Sequence, residues 1–127
     1  MKTTKIATIA TLLAALASPV LAEGDADKGA KVFKKCKACH AVGADAKNKV
    51  GPVLNGVIGR DAGMYPDFKY SKAMIAAAED GLVWDEENLT AFLTKPKAFV
   101  KGTKMGFAGL KKGSDIENIL AYLATFE

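Results

Sequence analysis

Cys36-Lys37-Ala38-Cys39-His40 places the only two cysteines and the only histidine of a 127-residue chain within one short run. A C-x-x-C-H run is the pattern of covalent haem attachment. The spacing follows from the chemistry. Two thiols add across the two vinyl groups of one haem as thioethers, and the histidine that follows is held beneath the iron as an axial ligand. Other uses of the same residues explain less. A structural zinc site needs a full tetrahedral set of Cys and His ligands, and this chain has too few of them, packed too closely to surround an ion. A thioredoxin-like redox pair expects a βαβ setting. Here a lysine-rich helical stretch precedes the motif, with no β-branched strand before it. A plain disulfide leaves His40 without a role.

With no second histidine, the other axial position falls to a methionine thioether, a common partner to histidine on haem iron. Beyond Met1, the chain has Met64, Met74 and Met105. Met74 lies in an alanine-rich helical stretch and suits a core side chain. Met64 precedes Tyr65-Pro66 in a loop. Met105 is the best placed. It sits in Lys101-Gly102-Thr103-Lys104-Met105-Gly106-Phe107, between two expected helices, where flanking glycines let the backbone approach a flat ligand.

The elements that must position these residues begin after a leader. Lys2 and Lys5 form a positive start, Ile6 to Leu16 is apolar, Ser18-Pro19 breaks the run, and Val20-Leu21-Ala22 ends in a small-residue cleavage pattern. Residues 1–22 are therefore expected to be a cleaved signal peptide and 23–127 one small domain. An uncleaved membrane anchor is the competing use of the same stretch, but the apolar run is shorter than a spanning helix requires. Export agrees with the haem motif, because bacterial haem attachment takes place outside the cytoplasm.

The formal charge is +4, and would be +2 without Lys2 and Lys5, too weak to suggest nucleic-acid binding. Its distribution says more. Lys28, Lys31, Lys34, Lys35 and Lys37 lead into the motif, Lys95, Lys97, Lys101, Lys104, Lys111 and Lys112 crowd the last third, and Glu79, Asp80, Asp85, Glu86 and Glu87 lie between. Such asymmetry steers an oppositely charged partner.

The expected fold is all-α, helices and loops wrapped around one haem. Asp25 and Asp27 favour a helix start, with the helix running to about Lys35. Ala41 to Gly63 is a long glycine-broken loop, and wrapping a cofactor gives such a loop a purpose. Ser71 to Asp80 is helical and stopped by Gly81. Asp85 caps Glu86 to Thr94, which Pro96 ends. Ser114-Asp115-Ile116-Glu117 matches a capping box, followed by Ile116, Ile119, Leu120 and Leu123 along one apolar face.

Taken together, Cys36–His40, Val50-Gly51-Pro52, Gly59-Arg60, Gly81-Leu82-Val83-Trp84, Pro96-Lys97, Gly102-Thr103-Lys104-Met105, Phe107-Ala108-Gly109 and Ala121-Tyr122-Leu123 resemble the class I c-type cytochromes over nearly all of residues 24–126. They are close to the bacterial cytochrome c2 and mitochondrial cytochrome c families. The resemblance implies the small cytochrome c fold, one covalently bound haem c on Cys36 and Cys39, and His40 and Met105 as the axial pair. It also implies that Gly29 and Phe33 cross the last helix near Tyr122, and that the Pro52 carbonyl fixes the axial histidine. Arg60, Tyr70, Ser71 and Trp84 fall at positions around the haem propionates, and Phe107 at the haem edge.

By the same resemblance the protein is a soluble, periplasmic, monomeric one-electron carrier and not an enzyme. It takes electrons from the cytochrome bc1 complex and passes them to a photosynthetic reaction centre or a terminal oxidase, docking through lysines near the haem edge. A haem enzyme or gas sensor is the competing class. It needs an open sixth position, which Met105 would fill, and this chain has no distal histidine. Phe92, Met74 and Phe99 depart from the family, standing where many relatives carry tyrosine, asparagine and tyrosine. Gly106 leaves the Met105 loop less constrained.

Overall fold

The computed structural model describes residues 24–127; the expected leader, residues 1–22, and Glu23 lie outside the described residues. Among the described residues five α-helices follow one another: α1 (Ala26–Val32), α2 (Lys72–Glu79), α3 (Glu86–Thr94), α4 (Pro96–Phe99) and α5 (Gly113–Leu123). Among the described residues there is no strand, only a single antiparallel bridge between Asp61 and Val83. The all-α expectation holds.

Local chemistry sets most helix starts. The Asp25 carboxylate accepts from the Asp27 and Lys28 amides at the head of α1. Ser71 Oγ accepts from the Met74 amide to start α2, and the Asp85 carboxylate accepts from the Asn88 amide to start α3. Each side-chain oxygen satisfies an amide that the helix itself leaves open. Gly81, at φ +89°, turns the chain sharply after α2.

Three boundaries differ from expectation. The first helix is regular only to Val32, and Phe33–Lys35 tightens into a 3-10 turn that delivers the chain into Cys36. Pro96 ends α3 and also opens α4, since a proline at the first helical position forfeits no hydrogen bond. Helix α5 begins at Gly113 with Lys112 as its extended cap, and Ser114 makes no capping bond. The reason is tertiary. The Leu110 amide donates to the Leu93 carbonyl, and Lys112 is already turned so that its carbonyl accepts from Asp115 and Ile116.

The frame is the crossing of α1 and α5. A Cβ on Gly29 would collide with the Asn118 carbonyl oxygen and stand 2.6 Å from Tyr122 Cβ. Only hydrogen at this position lets the two backbones touch. Phe33 packs on Tyr122 with ring centroids 5.4 Å apart, as the crossing expectation required. Ile116, Ile119, Leu120 and Leu123 form the buried face of α5 and join Val32, Phe33, Val57, Trp84, Leu89, Phe92, Val100 and Leu110 in one core. Helix α2 is different, because none of its residues is fully buried. It rests on loops through its alanines: Gly63 lies beneath Ala78, and Gly102 beneath Ala73. No helix among the described residues is long and apolar enough to cross a membrane.

Candidate haem site

The 3-10 turn after α1 continues into the motif. The Cys36 carbonyl accepts from the Cys39 and His40 amides, so the motif is a tight turn whose three functional residues are all partly buried. Cys36 and Cys39 are free thiols. Burial pushes the Cys36 thiol up, opposed by the neighbouring Lys35. Cys36 packs against the main core, as do Met74, Met105 and Phe107. The folded chain thus holds both sulfurs unpaired, the chemistry that thioether formation needs.

A second segment runs alongside the motif. The Gly51 amide donates to the Cys39 carbonyl at 2.8 Å, and the Leu54 amide to the Ala41 carbonyl at 3.1 Å. This pairing brings the Pro52 carbonyl to 2.7 Å from His40 Nδ1. With Nδ1 donating, Nε2 is the nitrogen with a free lone pair, which is the tautomer a metal-binding imidazole requires. Burial lowers the pKa of His40, and the bond to Pro52 partly opposes that fall. The site favours neutral imidazole. Gly51 closes the other side of the ring, where there is no space for a Cβ.

Met105 lies on the segment between α4 and α5. Turn bonds from Val100 to Pro96 and from Thr103 to Val100 shape its approach, and Thr103 Oγ1 accepts from the Met105 amide at 3.2 Å. Its side chain is partly buried against the same core that Cys36 touches. By contrast Met64 is 65% exposed, outside that core.

Arg60 provides the clearest test of fit to a haem. Its Nη1 donates to the Asn55 carbonyl at 3.0 Å and its Nη2 to the Val53 carbonyl at 3.4 Å. Its guanidinium lies 5.0 Å from the centre of the Tyr65 ring. Among the described residues, Arg60 Nε is the buried side-chain nitrogen that lacks a partner. A buried N–H left unmatched is costly. A carboxylate is its natural acceptor, and haem brings two of them. Burial lowers the Arg60 pKa, with Tyr70 and Tyr65 opposing, and a propionate would offset the cost of burying the cation.

The other three residues expected near the propionates are placed as follows. Tyr70 is partly buried and its hydroxyl accepts from the Tyr65 amide at 3.0 Å, in the same neighbourhood as Arg60. Ser71 Oγ is engaged as the cap of α2. Trp84 is buried, its ring tilted against that of Phe92 with centroids 4.9 Å apart, and joined through its backbone to Arg60 and Gly59. Sequence reasoning missed Asn55, whose side chain exchanges two hydrogen bonds with the Gly43 backbone. It also missed Asn48, which donates to the Pro66 carbonyl and accepts from the Val53 amide. An asparagine in a glycine-broken loop carries no periodic signal that would reveal such a tie.

Phe92 and Phe99 complete an aromatic group with Trp84, at centroid distances of 6.3 Å between the two phenylalanines and 6.4 Å from Phe99 to Trp84. Phe92 is buried in the core, whereas Phe99 is exposed at the edge of this group. Lys34, Lys35, Lys37, Lys101 and Lys104, which flank the motif and the Met105 segment, are all exposed.

Known proteins share both sequence and shape with this chain. The cytochrome c family model matches residues 26–127. Cytochrome c2 of Afifella marina is 56% identical over 99 residues, 78% of this chain and 80% of its own length. Cytochrome c2 of Rhodomicrobium vannielii is 50% identical over 125 residues, 98% of this chain and 97% of its own. The solved structure of cytochrome c2 from Rhodospirillum centenum superposes with a TM-score of 0.77 at 48% identity, covering 81% of this chain and 98% of that one. A haem-attachment turn, an arginine whose buried Nε lacks a partner and relatives of this kind agree: the chain belongs to the cytochrome c family, electron carriers that hold one covalently attached haem c.

Proposed function

We propose that this protein is a periplasmic one-electron carrier in which His40 and Met105 are the axial ligands of a haem held by Cys36 and Cys39. The observation that carries the reading is the 2.7 Å bond from His40 Nδ1 to the Pro52 carbonyl, which fixes the ring and its tautomer on the motif itself. When bound, the haem supplies an iron that alternates between Fe(II) and Fe(III), and a thioether ligand favours the reduced state. The chain supplies position and dielectric. The Met105 segment offers a thioether against the apolar core, and Arg60, Tyr70, Ser71 and Trp84 would hold the propionates. Apolar burial disfavours the extra positive charge of the oxidised site, which works in the same direction as the thioether.

Electrons come from the cytochrome bc1 complex and pass to a photosynthetic reaction centre or a terminal oxidase. Exposed lysines near the motif and the Met105 segment guide transient docking, and the protein works as a monomer with no catalytic role. Residues 1–22 direct export and are removed. The Rhodomicrobium vannielii relative aligns over 125 residues, 98% of this chain, so the similarity reaches into residues 1–22.

The test is an absorption spectrum of periplasmic protein, oxidised and dithionite-reduced, with N-terminal sequencing of the same material. A sharp reduced α-band, a weak near-infrared methionine–iron band in the oxidised form and a start at Glu23 are expected. A haem spectrum lacking the near-infrared band would replace this reading with an open-site enzyme or sensor.

A further inference from the structure

We infer that Asn55 is a positioning residue for the haem potential: it joins the His40 loop to the guanidinium of Arg60. The inference rests on the proposed placement of Arg60 at a propionate and adds a residue that the cytochrome pattern did not indicate.

Asn55 works at both ends. Its side chain holds the loop that follows His40, with Oδ1 accepting from the Gly43 amide at 2.9 Å and Nδ2 donating to the Gly43 carbonyl at 2.8 Å. This reciprocal pair extends the register already set by Gly51 on Cys39 and Leu54 on Ala41. Its own carbonyl accepts from Arg60 Nη1 at 3.0 Å. The neighbouring Gly56 amide is tied to the Phe126 carbonyl, so the backbone at this point is held from both sides.

The consequence is directional. A guanidinium has one fork of donors in fixed geometry. Anchoring Nη1 on Asn55 and Nη2 on Val53 leaves Nε, the buried atom without a partner, with a single direction to face. The bond to Val53 is the long one, at 3.4 Å, so the Asn55 carbonyl is the stronger anchor. If the Asn55–Gly43 pair is lost, the carbonyl moves with its loop and the guanidinium loses its aim. A less well-placed cation compensates the propionate charge less and repels the oxidised iron less. Both effects stabilise Fe(III), and the potential falls.

The experiment measures midpoint potentials of the holoprotein for wild type, Asn55→Ala, Arg60→Lys and the double variant, with the near-infrared band confirming that axial ligation is intact. Asn55→Ala is expected to lower the potential, and Arg60→Lys to lower it further. In the Arg60→Lys background the Asn55→Ala shift should shrink to a small fraction of its size, because the two act through one bond. An unchanged potential in Asn55→Ala, with only a lower denaturation midpoint, would make Asn55 structural and overturn the inference. So would a full shift that persists in the double variant. If Arg60→Lys itself leaves the potential unmoved, the propionate reading fails instead. Should Asn55→Ala fail to accumulate, Asn55→Ser takes its place in the same comparison. Failure of both to form holoprotein would mark Asn55 as a folding residue and overturn the inference equally.

Discussion

The backbone of Gly51 lies flat against the His40 imidazole: a Cβ at Gly51 would stand 2.8 Å from both ring nitrogens. No side chain fits there, and the ring cannot retreat without leaving the Pro52 carbonyl. Gly51→Ala should therefore lower stability by about 1–3 kcal/mol, the usual cost of forcing a methyl into a packed site. It should also weaken the near-infrared band, because the imidazole is displaced. Denaturant midpoints and the oxidised spectrum of the variant check both. A variant with wild-type values for both would mean that the ring has room to shift.

Two other glycines differ in what surrounds them. Gly29→Ala drives a methyl into the Asn118 carbonyl at the α1–α5 crossing, where the nearest atom is backbone and the next, Tyr122 Cβ, is fixed to the backbone of α5. The expected loss is about 3 kcal/mol. Gly106 has open space around its Cβ position and ordinary backbone angles. Gly106→Ala should stay within about 0.5 kcal/mol of wild type. Urea titration of the pair tests the contact geometry directly, since the substitution is the same and only the surroundings differ.

The haem turn was legible in the sequence because covalent attachment fixes residue types and spacing together, and no other chemistry needs Cys36, Cys39 and His40 in that order. The α5 face was legible because Ile116, Ile119, Leu120 and Leu123 repeat with the helix period. Methionine choice was partly legible: loop position favoured Met105, and the family resemblance narrowed it further. What stayed hidden depends on contacts between distant segments. Ser114 has the makings of a cap, yet the Leu110–Leu93 bond sets the turn earlier and the cap falls on Lys112, two residues before it. Helix α4 was missed because Pro96 was read as a stop when it is equally a start. The ties made by Asn48 and Asn55 use single side chains in loops, where no pattern announces a partner.

Acid should destabilise the fold through its only histidine. Burial holds the His40 pKa below its ordinary 6.5. Between these two values the unfolded chain binds a proton and the folded chain does not, so stability rises with pH in that window and is lost as pH falls through it. Iron on Nε2 would lower the folded value further, in the same direction. The contribution is complete above 6.5. Below that pH, each unit of acidification costs up to about 1.4 kcal/mol. Urea midpoints at intervals from neutral pH to about pH 5 should fall in this manner. A flat profile would mean that His40 is protonated equally in both states.

Removing the Met105 thioether should open one face of the iron. Met105→Ala leaves the core around it in place, because the side chain is only partly buried and its loop is shaped by backbone turns and Thr103. The expected outcome is complete loss of the near-infrared band, a lower midpoint potential and faster binding of carbon monoxide by the reduced variant than by the reduced parent. Met64→Ala is the control: Met64 is 65% exposed and outside the core, and its loss should change none of these. If the two variants exchange behaviours, Met64 is the ligand.

Salt should slow the exchange of electrons with partners. The lysines beside the motif and the Met105 segment are exposed, while Glu79, Asp80, Asp85, Glu86 and Glu87 occupy the end of α2 and the start of α3. A surface divided in this way attracts an acidic partner from beyond contact distance, and dissolved ions screen that attraction over about 10 Å at 0.1 M salt. Stopped-flow reduction by purified cytochrome bc1 complex should therefore lose about tenfold or more in rate between low and high ionic strength. Lys104→Glu, next to the proposed ligand Met105, should slow the reaction at low salt by several-fold and leave it nearly unchanged at high salt. Lys28→Glu, on α1, should do less at either. Rates indifferent to salt, or equal losses for both lysines, would assign docking to a surface other than the one around Met105.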